Sequence, residues 1–372
     1  MKPCWQHAPP HLAASDVGEH AMQSNAPAMA SWASYRQLKK FQALDGLRAL
    51  SILAVVWHHT AGPYMPGMAS YVGTHGVTLF FAISGFLITS LLLREQDRNG
   101  KINFRDFYVR RALRIFPLYY AVLALYAVLV ALFEGESAAG RLFWHNLPYF
   151  LTYTSNLFVP LDGRVIFYFA WSLAVEEQFY LVWPCLLKWL GNARRAACLL
   201  GLVLAGVGAT VITGHMNAND LPLAIVGGAL LAVLLHIERS HQAVAPVLRH
   251  PLFALLLLGA TVGALSNPTL PALCVHALLV LWVGAAVLAR PTAWVRALNS
   301  RPFVVVGTVS YGIYMLHMLA KNAAEKIIRH ASELDSPYVL FGLTLCIALV
   351  MAKISYRYFE GHFISMKNKF QA

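Results

Sequence analysis

The chain has 372 residues, of which 58% are hydrophobic and only 12% are charged, and its mean hydropathy is +0.56. Soluble domains carry about 25% charged residues, so the composition excludes an ordinary soluble protein and indicates an integral membrane protein. The net charge of +12 does not require a nucleic-acid partner, because most basic residues fall in the short loops between apolar runs.

The two ends of the chain differ from its middle. The first forty residues are rich in Ala, Ser, His and Pro and lack the apolar core of a signal peptide. We expect residues 1–40 to form a disordered cytoplasmic tail or an over-extended start, residues 41–360 a polytopic membrane domain, and residues 361–372 a basic cytoplasmic tail. The five cysteines have no CxxC spacing, and we expect buried thiols rather than metal or disulfide sites.

Apolar runs long enough to cross a membrane recur along most of the chain. The segment 143–158 is apolar but interrupted, and we interpret it as re-entrant or interfacial rather than as a crossing. The remaining runs predict an all-α protein with about ten transmembrane helices, near residues 44–62, 77–93, 112–133, 171–190, 196–213, 221–237, 251–267, 271–289, 303–321 and 336–354.

The distribution of basic residues predicts the orientation of these helices. With the N-terminus inside, all but five of the 29 Lys and Arg residues lie on the cytoplasmic side. Cytoplasmic loops of membrane proteins carry such an excess of Lys and Arg. The pattern therefore favours both termini inside and an even number of spans.

The first predicted span holds ionisable residues, which are costly at membrane depth and usually mark a pathway or an active site. Arg48 lies near its start, and His58 and His59 lie near its end. The eleven residues from Arg48 to His59 give a rise of ~16 Å and three turns with about 20° left over. The two side chains therefore share one face at different depths, whereas His58 points roughly 80° away.

The second and third predicted spans carry small residues and clustered arginines. Ser84 and Gly85, within FFAISGFLI, let a helix or an extended ligand approach closely. Arg110, Arg111 and Arg114 fall within one and a half turns before the third span. They are either membrane-anchoring charges or a phosphate cradle, because guanidinium groups bind phosphates through two hydrogen bonds.

The fourth predicted span begins WSLAVEEQFYLVWP and contains two carboxylates. Ser172, Glu176 and Tyr180 recur at i, i+4 and i+8 and form one polar stripe, so Glu176 is predicted to face inward. We expect Glu177 to make structural hydrogen bonds or to extend toward the interface.

The ninth predicted span contains SYGIYMLHML, in which Ser310, Tyr314 and His317 share a face at i, i+4 and i+7. A histidine in this position is either a hydrogen-bonded core residue or a functional group. The predicted topology places three candidates near the outer ends of their spans (His59, Glu176, His317) and three at the inner face (Arg48, Arg111, Arg114).

Together these motifs resemble membrane acyltransferase family 3, bacterial proteins that O-acylate cell-surface and secreted sugars. The resemblance covers most of residues 44–360. It rests on the Arg-x10-His spacing, FFAISGFLI, the Arg111-x-x-Arg114 pair, WSLAVEEQFYLVWP and SYGIYMLH. The family often has Asp where this chain has Thr78, which removes one charged partner for the histidine. Near the end, SYRYFEGHF is similar to a family motif, with His362 where proline is usual.

The resemblance implies a bacterial inner-membrane enzyme that transfers an acyl group, most often acetyl, from cytoplasmic acetyl-CoA to a hydroxyl of an extracytoplasmic carbohydrate or glycolipid. Membrane lipids and polysaccharide-assembly proteins are the further expected partners, and neither nucleic acid nor metal is expected. The residues expected to bind the donor are Arg48, Arg111, Arg114, Ser84 and Gly85.

The same resemblance leads to a mechanism in which His59 is the general base on the acceptor hydroxyl. We expect Glu176 to orient its imidazole, and we count His317 as a third catalytic candidate. A covalent acyl-histidine stays open as an alternative. So do the acceptor, the acyl group and the oligomeric state.

A proton-coupled secondary transporter or flippase of a sugar-containing substrate is the rival interpretation. Composition and topology fit it equally well. The sequence has no evident inverted repeat, and several separate motifs match one enzyme family, so the acyltransferase is the favoured function.

Overall fold

A computed structural model of the protein describes residues 31–38, 40–41, 43–64, 72–160, 163–213, 222–267, 270–329, 336–366 and 370. All regular secondary structure in these ranges is helical, which confirms the predicted all-α class. In chain order the helices are α1 (Trp32–Gln37), α2 (Ala43–His59), α3 (His75–Asn99), α4 (Phe104–Phe133), α5 (Ala138–Leu151), α6 (Ser155–Phe158), α7 (Ala170–Leu190), α8 (Ala193–Ile212), α9 (Leu223–His236), α10 (Glu238–Leu248), α11 (Pro251–Ser266), α12 (Ala272–Leu288), α13 (Ala293–Leu298), α14 (Arg301–Thr308), α15 (Ser310–Arg329), α16 (Pro337–Ser355) and α17 (Gly361–Met366).

Several of these helices are long and apolar enough to cross a membrane. Over the described residues there are four, within Val72–Asn99, Phe104–Phe133, Ala193–Ile212 and Pro337–Met366. The number rises to six if the bent pairs α9–α10 and α14–α15 each count as one span. Each of the ten predicted spans overlaps a helix. The number of ten crossings and the orientation of the termini stay predictions.

The ninth predicted span, 303–321, is not one continuous helix. α14 and α15 meet at Val309 with a bend of 75°. At this point Gly307 packs directly on the backbone of α2, where a Cβ would overlap the carbonyl oxygen of Asp45. The contact joins α14 to the start of α2, and α15 continues at a new angle with His317 on it.

The segment predicted to be re-entrant forms two short helices, α5 and α6. They are joined through Tyr153, whose backbone is left-handed with φ 54°. A crossing needs about 20 helical residues, and α5 has 14. Its re-entrant or interfacial position stays a prediction.

α3 and α9 pack backbone against backbone. A Cβ on Gly85 would overlap the carbonyl oxygen of Ile225, and a Cβ on Gly228 would overlap that of Ala82. Only glycine permits such an approach, because any other side chain would push the helices apart.

Both predicted tails contain helix. α1 lies inside the predicted N-terminal tail and is held by the Arg94 guanidinium, which donates to the carbonyl oxygens of Tyr35 and Leu38. Trp32 Nε1 also donates to the His236 carbonyl at 2.9 Å. At the other end, residues 361–366 form α17, and the Phe370 carbonyl accepts from an Arg110 Nη1 at 2.8 Å. Residues 1–30 lie outside the described ranges.

The prediction of buried thiols is wrong for the four cysteines that the structure describes. Their side chains are free and exposed on the outer faces of the helices, at Cys185, Cys198, Cys274 and Cys346. Apolar sequence context identifies a core position only when protein surrounds it, and an outer face of a membrane helix has the same composition. Cys4 lies outside the described residues.

Candidate active site

Arginines from two separate parts of the sequence meet in one cavity of about 350 Å³. α2 contributes Arg48, and α4 contributes Arg111 and Arg114 one turn apart on the same face. We call this space the arginine cavity. Its other polar lining residues are Ser84, Arg110, Ser172, Glu176, Tyr180, Ser310, Tyr311 and Tyr314.

The four arginines of the cavity differ in their partners. Arg110 forms a 2.9 Å ion pair with the buried Glu95, and Arg48 forms a 3.1 Å pair with Asp45. In contrast, no carboxylate of the described residues lies within salt-bridge distance of Arg111 or Arg114. The Nε of Arg111 is also buried without a hydrogen-bond partner there. Because an unpaired buried donor costs ~1–3 kcal/mol, the Arg111 guanidinium is placed as a ligand-binding group is, and Arg114 lies one turn further along the same wall.

The polar stripe of α7 faces the same cavity, as its spacing predicts. The Tyr180 hydroxyl is hydrogen-bonded to Ser84 and lies 3.4 Å from Glu176 Oε2. One turn earlier, the Ser172 hydroxyl bonds the Tyr314 hydroxyl, which donates to the Phe169 carbonyl. These bonds link α3, α7 and α15 across the cavity.

Glu176 therefore does not stand where we expected it. We expected it to orient His59, but its hydrogen-bond partner is Tyr180 and it lies with the arginines. The reason is the start of α7 at Ala170, which puts Glu176 ~9 Å into the helix. Its neighbour Glu177 was expected to make structural hydrogen bonds or to extend toward the interface. Its Oε1 is instead buried without a hydrogen-bond partner in the described part of the chain.

Gly85 does not line the arginine cavity. Its α-carbon faces α9, as the contact with Ile225 requires, whereas Ser84 beside it faces the cavity. Of the predicted donor-binding set, the structure brings together Arg48, Arg111, Arg114 and Ser84, and leaves Gly85 outside.

A second cavity of about 370 Å³ adjoins the first. We call it the histidine cavity, because His58, His59 and His276 line it. Val77, Phe81 and Tyr314 line both cavities and so form the wall between them. Sequence reasoning missed Tyr168, which also lines it, and gave His276 no role. The only available signal was an unexplained histidine within a predicted span.

The two predicted catalytic histidines are directly hydrogen-bonded. His317 Nε2 lies 3.1 Å from His59 Nδ1, and His317 Nδ1 lies 2.6 Å from the Tyr314 carbonyl oxygen. A carbonyl only accepts, so His317 Nδ1 carries a proton. In the neutral ring Nε2 must then accept from His59 Nδ1. The Nε2 of neutral His59 is consequently also unprotonated, and its lone pair is not used by the bond between the two rings.

Aromatic rings enclose this pair. The ring of Tyr168 lies 5.7 Å from that of His59, and the ring of Phe169 lies 5.5 Å from that of His317, both edge to face. His317 is fully buried. Within the described ranges, no group of three or more His, Cys, Asp or Glu residues is arranged to hold a metal ion.

Comparison with known proteins agrees with the sequence motifs. A family model described as an acyltransferase domain matches residues 41–353. Among similar proteins, "Putative peptidoglycan O-acetyltransferase YrhL" of Bacillus subtilis is 29% identical over 349 residues, which cover 85% of this chain and 54% of the relative. "Peptidoglycan O-acetyltransferase OatA" of Listeria monocytogenes is 26% identical over 365 residues, 87% of this chain and 55% of the relative.

The chain thus spans little more than half the length of these curated relatives. No solved structure matches it. Because the family model covers most of the chain, the protein belongs to membrane acyltransferase family 3.

Proposed function

We propose that this protein is a membrane O-acetyltransferase, which moves acetyl from acetyl-CoA in the arginine cavity to a hydroxyl of a cell-surface carbohydrate in the histidine cavity. The observation that carries the proposal is the direct contact of the two cavities through Val77, Phe81 and Tyr314. The names of both relatives support O-acetylation and suggest a glycan of the peptidoglycan type as acceptor.

The donor site is supported by the charges of the arginine cavity. Arg111 and Arg114 have no carboxylate partner among the described residues, and coenzyme A carries several phosphate charges that guanidiniums bind strongly. A neighbouring cavity of about 850 Å³ shares Arg110 and Arg111 and offers room for the nucleotide part. In this proposal the pantetheine arm passes the wall formed by Val77, Phe81 and Tyr314 to reach His59.

The transfer itself follows from the tautomers of the histidine pair. His59 Nε2 takes the proton of the acceptor hydroxyl while that oxygen attacks the thioester carbonyl carbon. The carbon–sulfur bond then breaks, and the same proton passes from His59 to the departing thiolate. His317 keeps the His59 ring in the required tautomer by accepting from Nδ1. A positioned base of this kind contributes ~10²–10⁴-fold to the rate.

Glu176 has a positioning role in this scheme. It lies with Tyr180 and Ser84 beside the arginines, so it orders the polar wall along which the donor passes. This replaces the orienting role beside His59 that the sequence suggested.

The proposed orientation has the arginine cavity on the cytoplasmic side of a bacterial inner membrane, with ten crossings and both termini inside. It is supported by the excess of Lys and Arg in the loops on that side. The donor is then taken from the cytoplasm and the acceptor from outside.

Binding of acetyl-CoA to the purified full chain in detergent tests the proposal. We expect saturable binding to the wild type, and at least about tenfold weaker binding to the double variant Arg111→Ala, Arg114→Ala, since each charged hydrogen bond contributes ~1.5–3 kcal/mol. The matched control is Lys101→Ala, Arg105→Ala, which removes the same charge from exposed side chains outside the cavity.

The control is expected to bind as the wild type does. An equal loss in both double variants would reduce the effect to long-range electrostatics. A wild type that binds no acetyl-CoA would overturn the donor site and favour a transporter instead.

A further inference from the structure

A third cavity, of about 830 Å³, lies at the far ends of α4 and α15. We call it the aromatic groove, because its wall includes the rings of Tyr126, Phe133, Phe167, Tyr168 and Phe169. Sequence analysis gave this region no function. Its volume is near the upper end of the ~300–1,000 Å³ of small-molecule sites, which suits an oligosaccharide better than a single sugar.

The groove is separated from the arginine cavity along the helix axes. On α4, Arg114 lines the arginine cavity and Tyr126 lines the groove, a rise of ~18 Å between them. On α15 the corresponding residues are Tyr311 and Asn322, ~16 Å apart. The histidine cavity lies between the two, because it shares Tyr314 with the arginine cavity and Tyr168 with the groove.

Two residues connect the groove to the histidines. Tyr168 and Phe169 line both the groove and the histidine cavity. The ring of Tyr168 packs against His59, and that of Phe169 against His317. A molecule in the groove therefore reaches the histidine pair at this junction.

We propose that the aromatic groove binds the sugar chain of the acceptor and presents one hydroxyl to His59 beside Tyr168. This inference rests on the proposed function and names the site of its second substrate. Sugar rings present C–H faces that pack on aromatic rings, while their hydroxyls hydrogen-bond to polar groups at the edges.

The rim of the groove supplies such polar groups. Arg164 donates to Glu134 at 2.8 Å, and Glu325, which also lines the groove, lies 3.3 Å from Lys321 on α15. The Arg164 guanidinium holds the pKa of Glu134 below its ordinary value, so this carboxylate accepts hydrogen bonds at neutral pH. Ionised pairs are costly in hydrocarbon, so the rim favours a carbohydrate over a lipid chain.

The backbone at the junction is held in a costly conformation. Phe167 has φ 66°, and a bulky residue in the left-handed region costs ~1–3 kcal/mol unless its surroundings impose it. Its buried ring packs on Tyr126, Phe150 and Phe169, with centroids 5.2, 5.4 and 4.8 Å away. This packing fixes the turn that directs Tyr168 toward His59.

Calorimetric titration of the full chain in lipid nanodiscs, without acetyl-CoA, tests the groove. The probe is a tetramer of β-1,4-linked N-acetylglucosamine. We expect saturable binding to the wild type and about threefold to tenfold weaker binding to Phe133→Ala, because one aromatic contact is lost. Leu132→Ala is the matched control, since Leu132 is exposed next to Phe133 and does not line the groove.

A second variant keeps the test independent of the aromatic ring. Arg164→Gln breaks the rim pair and is expected to weaken tetramer binding while acetyl-CoA binding is unchanged. The proposed sugar site would be contradicted by a wild type that does not bind the tetramer, or by an equal loss of tetramer affinity in Leu132→Ala and Phe133→Ala. Displacement of the tetramer by a long-chain lipid analogue would also contradict it and would assign the groove to an acyl chain.

These outcomes are separate from those for the donor. A wild type that binds acetyl-CoA but not the tetramer contradicts the proposed groove alone. A wild type that binds the tetramer but not acetyl-CoA overturns the proposed function and leaves a glycan-binding groove.

Discussion

The arginine cavity and the histidine cavity share a wall but differ in the charge and the hydrogen bonding of their polar groups. The first collects charged guanidiniums, two of which have no carboxylate partner in the described part of the chain. The second contains His59, whose ring is hydrogen-bonded to His317, and His317 is hydrogen-bonded in turn to the Tyr314 carbonyl.

This difference separates two tasks. Unpartnered charge binds an anion, because the ligand completes what the protein leaves open. A hydrogen-bonded neutral pair moves a proton, because its tautomers are already set. Variants of each cavity should therefore affect binding and transfer separately.

The largest effect is expected from His59→Ala. Loss of the base should reduce acetyl transfer by ~10²–10⁴-fold, while acetyl-CoA binding to the arginine cavity stays as in the wild type. Transfer is measured with radiolabelled acetyl-CoA and a glycan acceptor. The control is His58→Ala, which changes a histidine of the same cavity outside the hydrogen-bonded pair. Near-normal transfer by His59→Ala would remove His59 from the mechanism.

A smaller loss is expected from His317→Ala. His317 acts through His59, and we expect a loss of ~10–100-fold, the size found when the orienting partner of a metal-bound histidine is removed. The loss should appear in kcat, with the KM for acetyl-CoA unchanged. His317→Gln should recover part of the rate, since its amide can accept from His59 and donate to the Tyr314 carbonyl. No difference between Ala and Gln would mean that His317 serves packing only.

Next in size is Gly85→Ala, which tests the support behind the arginine cavity. The new Cβ would overlap the Ile225 carbonyl, and overpacking of this kind costs ~1–3 kcal/mol. We expect a lower midpoint of thermal unfolding in detergent. Gly201→Ala is the matched control, because a Cβ there meets nothing within 4 Å. Equal midpoints for both variants would contradict the backbone contact.

The smallest effect concerns the rim of the aromatic groove. Arg164 lowers the pKa of Glu134, mainly through their hydrogen bond, from its ordinary value of 4.5. The pair therefore stabilises the fold above about pH 4.5, and this contribution is lost as pH falls through the lowered pKa. Glu134→Gln should lower the free energy of unfolding at pH 7 by ~0.2–1 kcal/mol, as for an exposed pair, and should leave it unchanged at pH 3. The measurement is thermal unfolding in detergent at both pH values. A difference that grows on acidification would have the wrong sign.

Sequence patterns predicted much of what lies on a single helix. The polar stripe of Ser172, Glu176 and Tyr180 faces one cavity, and Arg111 and Arg114 share a face, because helical periodicity fixes both. The position of one helix along its axis relative to another helix was not predictable from the sequence. The relative depth of Glu176 and His59 depends on where α7 begins, and the bend at Val309 depends on the contact between Gly307 and Asp45.

The dipeptide Ser84–Gly85 shows what such an offset controls. The serine hydroxyl faces the arginine cavity, and the glycine faces away from it, against the backbone of α9. Backbone atoms have no rotamers with which to absorb a displacement, so α3 cannot slide along α9 without a collision. The position of the Ser84 hydroxyl in the cavity is therefore fixed by Gly85, on the opposite side of the helix. Selection for acyl groups of different length would act on that outer contact as well as on the cavity wall.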